Sequence, residues 1–115
     1  MITITNTTKE FTPVEKYLLT VAPTIKSVKT LEDGDVINVA GYLEFVDEKE
    51  DGTTAELMSI ITTDNTVYST QSETFKRSIK DIETIMEFPF SVMKISGQSK
   101  AGRNFVNCVL DIESL

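Results

Sequence analysis

One amphipathic helix, set between strand-like stretches, most constrains how this chain of 115 residues can fold. Phe75, Ile79, Ile82 and Met86 recur at helical spacing and make a single apolar stripe. Lys76, Arg77, Lys80, Asp81 and Glu83 fall largely on the other side. Thr70 and Glu73 have the spacing at which a hydroxyl and a carboxylate satisfy free N–H groups at a helix start. Pro89 cannot continue the ladder. The pattern predicts a helix over 71–88. Its stripe needs a surface to lie on, and the flanking sequence on both sides is β-like, so the order of the strands decides the fold.

Residues 36–46 carry the strongest strand pattern. Ile37, Val39, Leu43 and Phe45 alternate on one face, with Asn38, Tyr42 and Glu44 on the other. Gly41 in the middle predicts a bulge or sharp bend of the kind that closes small barrels. Residues 57–63 are a β-branched strand, Asp64-Asn65 a tight turn, and Val67-Tyr68-Ser69 continues extended into the helix. After the helix, 90–96 and 104–112 read as a last strand pair joined by 97–103. Upstream, Ile25, Val28 and Leu31 predict a first core strand, ended by the turn Glu32-Asp33-Gly34-Asp35. Thr12-Pro13-Val14-Glu15 is another helix-start signature, which predicts a short helix over 13–21 closed by Pro23. Residues 1–10, rich in Thr and Asn, read as a flexible arm or a frayed edge strand. The expectation is one domain over 1–115, all-β with helices: a five-stranded OB-fold barrel with a helix between strands 3 and 4 and a short N-terminal helix. Such barrels most often hold single-stranded nucleic acid or oligosaccharide, which at this point is analogy alone.

Composition narrows the chemistry. There is no histidine, which removes His-based triads and speaks against a zinc site, and no cofactor motif is present. The one cysteine, Cys108, lies in an apolar strand pattern and reads as a small buried hydrophobe, not as a nucleophile. The acidic clusters Asp33/Asp35 and Asp47/Glu48/Glu50/Asp51 read as solvated loop acid, so no enzymatic activity is expected. No run approaches a membrane span, and the N-terminus has no basic region followed by an apolar core, so a cytoplasmic protein without membrane partners is expected. The net charge of −7 argues against nucleic acid if taken alone. Its distribution does not: acid gathers at 32–35 and 44–56, and base at Lys26/Lys29, at Lys76/Arg77/Lys80 and at Lys94, Lys100 and Arg103. A basic groove on an acidic molecule and a surface of mixed charge both fit this pattern.

Single strands are held by ring faces for the bases and cations for the backbone. The candidate rings are Tyr42, Phe45 and Tyr68. Tyr42 shares the polar side of its strand, which predicts an exposed ring. Phe45 is core by simple alternation, unless a bulge at Gly41 inverts the register. The loop 97–103 brings glycines, Ser99, Lys100 and Arg103 together in a way that suits phosphate contact, and Lys94 adds a cation beside it. Lys76 and Arg77 are further candidates, with a solvated helix face as the plainer reading.

Three stretches resemble the small single-stranded DNA-binding protein of phages that replicate linear genomes by protein priming. They are 26–34 (KSVKTLEDG), 60–69 (IITTDNTVYS) and 95–102 (ISGQSKAG), similar to that family's serine–x–lysine–x–leucine run, its turn and Tyr-Ser pair before a helix, and its glycine–x–serine loop. Their order and spacing hold over most of 25–115. The resemblance implies an OB-fold that stacks DNA on tyrosines and protects replication intermediates. Tyr68 matches a binding tyrosine of the family, and Phe45 falls where another lies. The family's further tyrosine, near Asp51, has no counterpart here.

Two readings follow. The first is a non-catalytic, sequence-independent single-stranded DNA-binding protein of a phage or mobile element, with DNA and replication proteins as partners. Its oligomeric state is left open. The second is an acidic interaction or inhibitor protein whose surface over 47–56 mimics DNA for a host nuclease or defence protein.

Overall fold

The computed structural model describes residues 1–98 and 100–114. Its elements are β1 (Ile2–Thr7), α1 (Pro13–Thr20), β2 (Lys26–Ser27), a 3-10 turn (Val28–Thr30), β3 (Val36–Glu48), β4 (Thr54–Thr62), β5 (Val67–Thr70), α2 (Glu73–Glu83), β6 (Phe90–Gln98) and β7 (Asn104–Leu110). The strands form one strongly curled, half-barrel sheet in the order β2-β5-β4-β3-β6-β7, with β1 beside β3. The chain is therefore mostly β with two helices, and the described residues form seven strands where five were expected.

β3 organises the sheet. One of its edges pairs antiparallel with β4. Along the other edge, residues 36–39 pair with β6 and residues 43–47 with β1. A strand that changes partners along one edge has to bend, and β3 does so where its register against β4 slips between Val39 and Gly41. Gly41 is needed there for room. A Cβ would stand 3.0 Å from Thr8 Oγ1, the hydroxyl that accepts from Tyr42 N and donates to Tyr42 O as the N-terminal segment crosses.

The slip decides which side chains are inside. Ile37 and Val39 face the inner core, and after the slip Tyr42 joins them there. Met58, Ile60, Phe90, Val92 and Cys108 from the other strands, and Phe75 and Ile79 from α2, complete this cluster. Leu43 and Phe45 turn to the opposite wall. There, with Ile61 and Val67, they pack under Phe11 and Leu19 of the N-terminal segment. α1 and the segment through Phe11 thus form a second layer over the outside of the sheet. Burial of Cys108 pushes its thiol pKa up to about 12, consistent with an inert core residue.

Several boundaries differ from expectation for local reasons. The strand predicted through 25–31 is only two residues long, because the Ser27 hydroxyl accepts from Lys29 N and Thr30 Oγ1 donates to Ser27 O, turning the backbone into the 3-10 turn. Val28 still reaches the core. The extended Val67–Thr70 stretch is a strand in its own right, and of the two readings of residues 1–10 the strand holds, with 2–7 paired to β3. α2 starts later than the Thr70/Glu73 signature suggests. Ser72 is its cap, with Oγ accepting from Phe75 N at 3.2 Å and donating to Val106 O at 2.6 Å, whereas Thr70 Oγ1 accepts from Ser72 N. The Ser72 bond also satisfies a carbonyl on the edge strand β7. α2 ends at Glu83, well before Pro89, where Thr84 N and Ile85 N reach back three residues, to Asp81 O and Ile82 O, and tighten the last turn. α1 forms as its spacing predicts, with a reciprocal Thr12–Glu15 capping box. No helix among the described residues is long and apolar enough to cross a membrane.

Candidate functional site

Three hollows meet around the start of α2. The first, about 460 Å³, lies between β1, the middle of β3 and β4, and α2. Phe45, Leu57 and Thr5 lie along it, and Lys76, Arg77 and Lys80 form its helical wall with Glu44, Glu56 and Glu73. The second, about 780 Å³, lies between α2 and the β6–β7 hairpin, with Lys29, Lys94, Ser96, Asn104 and Phe105 along it. The third, about 140 Å³, joins them. It shares Leu57 with the first hollow and Lys29 and Gln71 with the second, and Glu73 lines both larger ones. The three neighbouring hollows, called the groove below, hold between them five cations (Lys29, Lys76, Arg77, Lys80, Lys94) against three carboxylates (Glu44, Glu56, Glu73). On a chain of net charge −7 this is a local reversal of sign.

Not all five cations are available to a ligand. The Lys76 side chain is 6% exposed, its amine ion-paired with Glu73 at 2.6 Å and donating to Glu56 O at 3.2 Å. That pairing holds the Glu73 carboxyl below its ordinary pKa. Lys94 sits on the inward side of β6, 8% exposed, and its amine donates to Leu31 O at 2.7 Å and lies 3.4 Å from Asp33. Asp33 is in turn held low, first by the hydrogen bond from Ser96 and then by Lys94. Lys80 is half-exposed and pairs with Glu44 at 3.0 Å. Arg77 and Lys29 are exposed.

The expected residues divide. Phe45, Lys76 and Arg77 meet in the first hollow, and Lys94 lines the second. Tyr42 corrects its expectation: it is 2% exposed, its hydroxyl donates to Glu83 Oε2 at 2.5 Å, and its ring meets Phe88 edge-on. Burial, then the Glu83 carboxylate, push its pKa well above the usual tyrosine value. The bulge at Gly41 is the cause, since it turns the polar side of β3 inward at this position. Phe45 is turned outward by the same slip, but it is only 3% exposed because the N-terminal layer covers it. Lys76 and Lys94, expected as solvated cations, are buried structural ones. Tyr68, on β5 between Ile60 and Lys26, is half-buried against the inner cluster and lines none of the three hollows. Lys100 and Arg103 are exposed in and beside the turn joining β6 to β7, and neither lines any of the three hollows. Ser99 lies outside the described residues.

Sequence reasoning passed over Phe105, which reads as one more apolar residue near Cys108. It is half-buried at the second hollow, directly opposite Gly97 in the β6–β7 register. A glycine facing an aromatic across a hairpin is the signal that was available. Among the described residues, no group of three or more metal-ligating side chains converges. Comparison with known proteins finds no family model, no curated protein and no solved structure that matches this chain.

Proposed function

We propose that the sheet is an OB-type barrel and that the chain is a non-catalytic protein that binds single-stranded DNA, without sequence preference, along the groove around α2. The pairing order β5-β4-β3-β6-β7, with α2 between β5 and β6, supports the barrel: it is a five-strand order with the helix between the third and fourth strands, and β1 and β2 are additions at its edges. The observation that carries the binding reading is that the accessible cations Arg77, Lys80 and Lys29 line neighbouring hollows around the start of α2, on an otherwise acidic molecule. Arg77, Lys80 and Lys29 offer charge to the phosphates. Lys76 and Lys94 hold the walls in place. Tyr42 has no part in contact with DNA on this reading. The resemblance of residues 25–115 to the phage proteins supports a setting in the replication of a phage or mobile element, where the protein would coat and protect exposed strands.

The test is titration of labelled oligo-dT and of the matching duplex over a salt series. The reading requires binding of the single strand at low salt, weaker binding of the duplex, and loss of affinity as salt rises. No binding of oligo-dT at low salt would reject it. A second reading has its own observation: Glu48, Glu50 and Asp51 stand exposed at the β3–β4 hairpin, an acidic projection suited to mimic DNA. That reading requires no binding of single strands in the same titration.

A further inference from the structure

We infer that the outer face of the β6–β7 hairpin is the contact surface for a second copy of this chain, the two hairpins stacking antiparallel across a two-fold axis. The inference stands apart from the binding of single strands. The N-terminal layer covers only part of the outside of the sheet. It packs on Leu43, Phe45, Ile61 and Val67, from β3, β4 and β5, and among the described residues no side chain of β6 or β7 belongs to that cluster. On the uncovered part, Val36, Met93 and Val109 stand side by side across β3, β6 and β7, on one face because they are direct partners. Ile95 and Phe105 continue that face toward the turn. Val36 is 47% exposed and Val109 42%, so apolar surface meets water where the open side of a sheet ordinarily carries polar side chains. Phe105 lies across Gly97, where a Cβ would stand only 2.4 Å from its Cζ, so the ring stays low on the hairpin. Asn107, opposite Ile95, has its carboxamide oxygen satisfied by Ser78 Oγ and Cys108 N.

The occupant follows from the charge at the two ends of the hairpin. The turn end carries Lys100 and Arg103, and the other end, where β6 begins and β7 finishes, carries Glu87, Asp111 and Glu113. The Lys100 amine and those three carboxylates have no hydrogen-bond or ion-pair partner among the described residues. A second copy laid face to face and antiparallel brings the cationic end of each hairpin to the acidic end of the other, twice by symmetry. A parallel arrangement would set like charges together, so the ends fix the orientation as well. Twisted sheet faces pack on one another about 10 Å apart, with aliphatic and aromatic side chains interdigitating between them. Lys94, Ser96 and Asn104, which line the hollow between α2 and the hairpin, lie on the opposite side of these strands, so pairing leaves the groove of each copy open.

The experiment is sedimentation velocity at low salt, from micromolar to millimolar protein. The native chain is expected to pass from monomer to dimer and no further, because a two-fold contact closes on itself. Val109→Glu should weaken dimerisation by roughly tenfold or more, since the change enters the interface twice. Its unfolding midpoint in dilute solution should match that of the native protein, which checks the fold. Lys100→Glu and Asp111→Lys should each weaken dimerisation. An equimolar mixture of those two variants should restore it, since in the mixed dimer each of these ends again meets its opposite. A native chain that stays monomeric throughout, a Val109→Glu dimer as strong as the native one, or a mixture that fails to pair would each overturn the inference. Loss of oligo-dT binding in Val109→Glu with sedimentation unchanged would give this face to the strand, and would overturn it too. If the native chain dimerises as described but binds no oligo-dT, the interface stands and the proposed function falls.

Discussion

Replacing Tyr42 by phenylalanine separates a core role from a binding role with one atom. The ring would keep its place against Phe88, and the lost group is the hydroxyl that donates 2.5 Å to Glu83. A hydrogen bond to a charged partner contributes about 1.5–3 kcal/mol, and Glu83 is half-exposed and can take water instead, so the lower end, about 1.5 kcal/mol, applies. Unfolding entropy of about 2.1 cal/mol/K per residue over 115 residues makes this a fall in Tm of about 6 °C. The pH dependence has a definite sign. The folded pKa of Tyr42 lies above its unfolded value, so its stabilisation is complete below pH ~10 and declines as pH rises beyond that, by up to ~1.4 kcal/mol per unit. The stability gap between the native protein and Tyr42→Phe should therefore be constant from pH 6 to 9 and close above pH 10. Cys108 also titrates in the alkaline range, but it is common to both proteins and cancels in the difference. The assay is urea unfolding of both proteins at each pH, with oligo-dT affinity measured alongside. An unchanged unfolding midpoint together with weakened DNA binding would refute the argument, because it would put the hydroxyl at the surface and in contact with DNA.

Two further outcomes can be checked with less effort. The cations free enough to release counterions are Lys29, Arg77 and Lys80, so log K against log salt should fall with a slope of about −2 for oligo-dT, and of about −0.7 for the Arg77→Gln/Lys80→Gln double variant. The same slope in both proteins would remove α2 from the interface. Ser59 is fully buried on β4, under the N-terminal layer, and its Oγ has no partner among the described residues. Ser59→Ala should therefore raise stability by about 1 kcal/mol, seen as a rise in Tm of about 4 °C, and a fall instead would mean that the hydroxyl is satisfied in solution.

The sequence by itself determined what depends on neighbours along the chain. The spacing of Phe75, Ile79 and Ile82 made α2, Thr12 and Glu15 capped α1, and the alternation of β3 made a long strand with a break at Gly41. The two faces open to Phe45 were legible as well, since a bulge at Gly41 carries that choice. Tertiary structure alone decided the outcome of that choice. A one-residue slip exchanges the two faces of everything after it, and it sent Tyr42 into the core and Phe45 under α1. Tertiary structure also decided which cations are free. Lys76 and Lys94 read as surface charges until Glu56 O and Leu31 O, both distant in sequence, were brought to their amines. The groove has the same origin: Lys29, Leu57, Arg77 and Phe105 come from four separate elements, and no local pattern records that they meet.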